Sequence, residues 1–88
     1  MSPKNKIKLQ ILRKKLDIID NSLLKIIKKR SNLVKEVLKL KKYKIEIIDK
    51  KRINFILKKI KKKSLQNNID PQVTQRIWKS MIWSYIAF

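Results

Sequence analysis

Cysteine, histidine and glycine are missing from this 88-residue chain, and proline occurs only twice. Without cysteine there is no disulfide framework and no thiolate nucleophile. Without histidine as well, the usual zinc sites and hydrolytic triads are excluded, so no metal site is expected. Long apolar runs are also missing. No window approaches the roughly 18 uncharged apolar residues of a membrane span, and MSPKNKIKLQ lacks the apolar stretch of a signal peptide, so a cytoplasmic protein is expected. With no glycine, and with proline only at positions 3 and 71, little interrupts a helix.

Acidic residues are scarce too: six Asp and Glu face 25 Lys and Arg, a formal charge of +19. Such a balance raises nucleic acid or an anionic membrane as partner. Under that reading the chain is a non-enzymatic basic helical module, with Trp78, Trp83 and the run KKIKKK (58–63) as its contacts. The bland alternative is coding bias toward A/T-rich codons, which enriches lysine, isoleucine and asparagine together. Either way the field draws small anions as well as large ones. Only four of the basic residues are arginine: Arg13, Arg30, Arg52 and Arg76. A guanidinium grips carboxylate or phosphate bidentately and tolerates partial burial better than an ammonium, so these four are the informative cations.

The spacing predicts one all-α domain over residues 1–88. Ser2 and Pro3 suit an N-cap and first helical position, and apolar residues then recur at 9, 12, 16, 19, 23, 26, 27, 33, 34 and 37. The first helix is expected over about 3–42. At 1.5 Å per residue, its roughly 38 residues form a rod about 57 Å long, against a radius of gyration of about 12 Å for a globule of this size. The rest of the chain is too short to wrap it, which calls for an intermolecular partner. YKIEIID (43–49) reads as a connection. Asp49 then caps a second helix over about 50–66, with Ile53, Ile56, Leu57 and Ile60 on one side and Asn67 and Asn68 at its end. Asp70 and Pro71 start a third over about 71–88, with Val73, Ile77, Met81, Tyr85 and Phe88 as its apolar stripe.

On a helical projection, Leu12, Ile19, Leu23, Ile26, Leu33, Val34 and Val37 all fall within about 60° of Arg30. Lys41 returns to within about 20° of it, three turns on. Two cations thus point into an apolar face, where an unpaired charge costs several kcal/mol. Asp17, Glu36 and Glu46 are expected to point elsewhere, so an anion from outside the chain is the expected counter-charge. Arg13 lies at the edge of the stripe, about 25 Å from Arg30 along the rod. It can share a small ligand with Arg30 only from the long helix of an antiparallel partner.

LRKKLDIID (12–20), LLKIIKKR (23–30), VLKLK (37–41), IIDKKR (47–52) and IDPQV through IWKSMI, taken in this order and spacing, resemble the all-helical chorismate mutases. The resemblance implies an intertwined homodimer of three-helix protomers, with each active site built from both chains. It implies the pericyclic rearrangement of chorismate to prephenate in aromatic amino acid biosynthesis, without metal or cofactor, and with neither nucleic acid nor membrane as partner. By resemblance, Arg13 from the partner chain and Arg30 hold the two carboxylates of chorismate. Lys41 meets the ether oxygen and a carboxylate, so Arg30 and Lys41 are the catalytic pair. Asp49 and Arg52 lie near the ring hydroxyl, and Tyr85 takes a substrate-binding position where serine is common. Ile53 replaces a frequent glutamate, and the family's usual glutamine or glutamate falls one position beyond Phe88. The apolar residue after Arg52 and the tyrosine of YIA are similar to the isochorismate-pyruvate lyases, which form salicylate on the same fold. Asp49 fits the mutase pattern better.

Overall fold

The computed structural model of the chain describes residues 1–40 and 49–86. Its elements are α1 (Pro3–Leu40), α2 (Lys50–Gln66) and α3 (Pro71–Ile86), and no strand occurs among the described residues. The chain is all-α. It divides into two units: Met1–Val37, which is nearly all of α1, and Leu38–Phe88, which holds α2 and α3.

α1 starts where the sequence supplies a start. Ser2 Oγ accepts from the Asn5 amide at 3.2 Å and its carbonyl accepts from Lys6 at 2.9 Å, so the first orphan amides are satisfied. Proline at the first helical position costs no hydrogen bond. The helix then runs 38 residues with no buried residue. Leu12, Leu16, Ile19, Leu23, Ile26, Leu33 and Val37 are each at least half exposed in the single chain. None of the helices is long and apolar enough to cross a membrane.

α2 and α3 form a hairpin whose turn is set by capping. Asp49 takes an extended conformation and its carboxylate accepts from the Arg52 amide at 3.0 Å, opening α2. At the other end Ile69 N donates to Ser64 O at 2.8 Å and Asn68 N to Leu65 O at 3.3 Å, a Schellman closure. Such a closure needs a left-handed residue, which here is Asn68 at φ 57°. In a chain with no glycine, asparagine is the side chain that tolerates this conformation best. Asp70 Oδ1 accepts from Gln72 N at 2.9 Å and opens α3 at Pro71.

Polar groups lock the hairpin. Ser64 and Thr74, both buried, are joined through their hydroxyls at 2.7 Å, while Ser64 Oγ donates to Ile60 O at 2.6 Å. Each hydroxyl has one proton and a backbone carbonyl within reach, Ile60 O for Ser64 and Pro71 O for Thr74 at 3.3 Å, so either can be the donor between the two. Farther along, Gln75 Nε2 donates to Leu57 O at 2.6 Å. The face of α3 turned to α2 is therefore Thr74, Trp78 and Ile82, at intervals of four, with Met81 and Tyr85 half-buried beside them. This corrects the expected stripe: Val73 and Ile77 are about half exposed. Hydrophobic spacing alone placed the face one residue off, because the decisive contact at 74 is a hydroxyl. Ile82 is the one buried hydrophobic residue among those described, so the single chain has little core.

Candidate active site

The first pair of expected ligand residues sits on α1. Arg13 is fully on the exposed side, while Arg30 is half-buried with Ile27, Ser31 and Val34 in the same stripe. Arg30 Nη1 is shut off from solvent and has no hydrogen-bond partner among the described residues. A buried donor left unmade costs about 1–3 kcal/mol, more when charged. Nη1, one arm of the guanidinium fork, therefore keeps a hydrogen to donate. Arg13 and Arg30 are about 25 Å apart along this helix, so one small molecule bridges them only if the two arginines come from different copies.

The second group sits at the start of α2. Asp49 and Arg52 are brought together by the cap itself, because the carboxylate that opens the helix bonds the Arg52 amide. Among the described residues the bond goes to Oδ1, and a carboxylate has a second oxygen that can accept. The Arg52 guanidinium lies over the Phe55 ring, 5.3 Å from its centroid, and Lys59 Nζ approaches the same ring at 5.8 Å. Phe55 was not among the sequence-predicted residues. Its signal was the three-residue step from Arg52, which stacks side chains on adjacent turns. By holding the guanidinium against its face, the ring limits where Arg52 can swing.

Tyr85 is half-buried near the end of α3, and Lys41 lies outside the described residues. Arg76 is exposed on α3, away from the Asp49–Arg52 cap. Among the described residues there is no group of three or more His, Cys, Asp or Glu that could hold a metal ion. α1 by itself offers guanidinium groups along an apolar stripe, and the start of α2 by itself offers a carboxylate and a guanidinium. These are groups for fixing a small anion's shape, and they include no nucleophile.

A family model for chorismate mutase type II matches residues 12–88, a span that contains every one of these positions. The chain belongs to that family. A curated protein from Methanocaldococcus jannaschii named "Chorismate mutase" is 37% identical over 76 residues, which cover 85% of this chain and 77% of that protein. No solved structure matches the chain. As a member of the chorismate mutase family it is an isomerase, and the departures from the family pattern at Ile53 and Tyr85 fall within the matched span.

Proposed function

We propose that the chain is a cytoplasmic chorismate mutase of aromatic amino acid biosynthesis, with two copies intertwined and each site lined by both. The observation that carries the site assignment is the buried, unpartnered Nη1 of Arg30 in the middle of an aliphatic stripe. A second copy accounts for that stripe. α1 buries none of its residues in the single chain, and a row of leucines and isoleucines some ten turns long is a core face without its other half.

The reaction shifts one C–O bond and one C–C bond within a cyclic array of six atoms and needs no group of the protein to form a covalent bond. Arg30 and Arg13 of the partner subunit clamp the two carboxylates of chorismate, freezing the side chain over the ring in the reactive chair. As the ether C–O bond breaks, negative charge grows on oxygen. Lys41, which a helical projection of the sequence puts on the side of Arg30, meets that charge, and a cation that gains more from the transition state than from the substrate lowers the barrier. Asp49 accepts from the ring hydroxyl with its free oxygen, and Arg52, steadied on Phe55, and Tyr85 complete the binding face.

The assay is direct. Purified chain given chorismate is expected to yield prephenate, at kcat/KM within the ordinary enzymatic range of about 10⁴–10⁸ M⁻¹s⁻¹. Salicylate and pyruvate from isochorismate, with chorismate untouched, would instead make it a lyase.

Asp49 has two separable tasks. Asp49→Asn keeps Oδ1 for the Arg52 amide, so thermal stability is expected to hold within about 1 kcal/mol. It also puts an amide donor where the hydroxyl needs an acceptor, so kcat/KM is expected to fall by about tenfold or more. Equal losses of stability and activity, measured by thermal melting and steady-state kinetics, would mean that Asp49 is a cap alone.

A further inference from the structure

The mutase reading leaves Arg76 and the 58–63 lysine run without a task. Both border a groove of about 430 Å³ on the α2–α3 hairpin, lined by Lys61, Pro71, Gln72, Gln75, Arg76 and Lys79. Three cations and two amides converge there with no carboxylate. The nearest acid in sequence, Asp70, already spends Oδ1 on the Gln72 amide at the cap of α3. Among the described residues Lys61, Arg76 and Lys79 make no ion pair, so their charge is not neutralised within the hairpin. Gln75 is pinned by its bond to Leu57 O, which gives the groove a fixed floor.

We propose that this groove docks the phosphodiester backbone of nucleic acid, as a second activity of the hairpin distinct from catalysis. Gln72, Gln75, Arg76 and Lys79 follow one another at helical spacing, forming a ridge about 10 Å long on α3. Lys61 faces it from antiparallel α2. On α2, Lys50 and Lys58 fall within about 60° of Lys61, so the cationic flank continues for about 16 Å beyond the groove. Residues 50–63 as a whole carry eight Lys and Arg and no acid. A row this long exceeds what a small anion can use, whereas a duplex offers one charge per about 1.7 Å of its axis. An anionic membrane fits less well, since interfacial docking also inserts large apolar side chains and the groove lining has none. Codon bias explains many lysines, but Arg76 is one of only four arginines in the chain, and it lines the groove.

The test measures fluorescence anisotropy of a labelled 20-base-pair DNA duplex with the full chain across a salt series. Lys61→Gln/Arg76→Gln/Lys79→Gln is compared with Lys4→Gln/Lys6→Gln/Lys8→Gln, which removes equal charge from the start of α1. The groove variant is expected to bind at least about tenfold more weakly, with the slope of log K against log salt reduced by about 2–3, and the control to stay within about twofold. Arg76→Gln alone is expected to show part of the same loss. Equal losses in the two triple variants, no binding of DNA by the wild type, or tighter binding to phosphatidylglycerol vesicles than to DNA would each overturn the proposal. Circular dichroism checks that the variants stay helical. Their prephenate production is expected to match wild type, which keeps this outcome separate from the fate of the mutase assignment.

Discussion

Arg30→Ala is expected to lower kcat/KM for prephenate formation by about a thousandfold or more while leaving the protein as stable as before, or more so. The two halves of this expectation have one cause. In the free chain Nη1 is buried without an acceptor, so the side chain carries a desolvation cost of about 1–3 kcal/mol that truncation removes. Under the proposed mechanism the same group finds its acceptor in a substrate carboxylate, and removing a preorganised donor costs about 10²–10³ in rate even when that donor is neutral. Destabilised groups held ready for a ligand are a recurrent form of the trade between stability and activity. Arg30→Lys restores charge but no fork, and is expected to remain at least about tenfold below wild type. The measurements are steady-state kinetics and thermal melting at one fixed protein concentration. A fall in melting temperature that parallels the loss of activity would mean that Arg30 is a structural residue and not a ligand-binding one.

The helical class and the helix starts were legible in the sequence because they depend on local chemistry. Ser2, Asp49 and Asp70 are short polar residues at points where apolar periodicity begins, and each accepts from the amide two or three positions on. Asn68 was legible as an ending for the same local reason: without glycine, few side chains enter the left-handed region at low cost. The face of α3 was not. Val73 and Ile77 suggested one orientation, yet Thr74 turns inward because Ser64 offers it a hydroxyl across the hairpin. A threonine's burial depends on a partner distant in sequence, which no periodicity reveals. The same applies to Gln75, whose amide reaches Leu57 O eighteen positions away.

For the candidate site, the inward placement of Arg30 was legible because a lone guanidinium among aliphatic residues stands out on a helical projection. The structure adds what sequence could not provide: among the described residues Nη1 is buried and has no hydrogen-bond partner. Phe55 escaped notice because an aromatic on an amphipathic helix is usually core, and here it is about half exposed beneath Arg52. Lys41, expected from the sequence as the catalytic lysine, falls in the 41–48 segment outside the described residues.

The second large effect concerns where Arg13 acts. If each site draws Arg13 from one chain and Arg30 from the other, Arg13→Ala and Arg30→Ala homodimers are both nearly dead. A heterodimer of the two then holds one site with both arginines intact and one with neither. Co-refolding equal amounts makes heterodimers about half of the population, so about one quarter of wild-type activity is expected to return. Sites built within single chains predict the opposite, because every site in every dimer would lack one arginine.

That mixing experiment tests the shared site most directly. Recovery of prephenate formation to about one quarter of wild type after co-refolding is the predicted result. Activity no higher than the average of the two separate variants would contradict it.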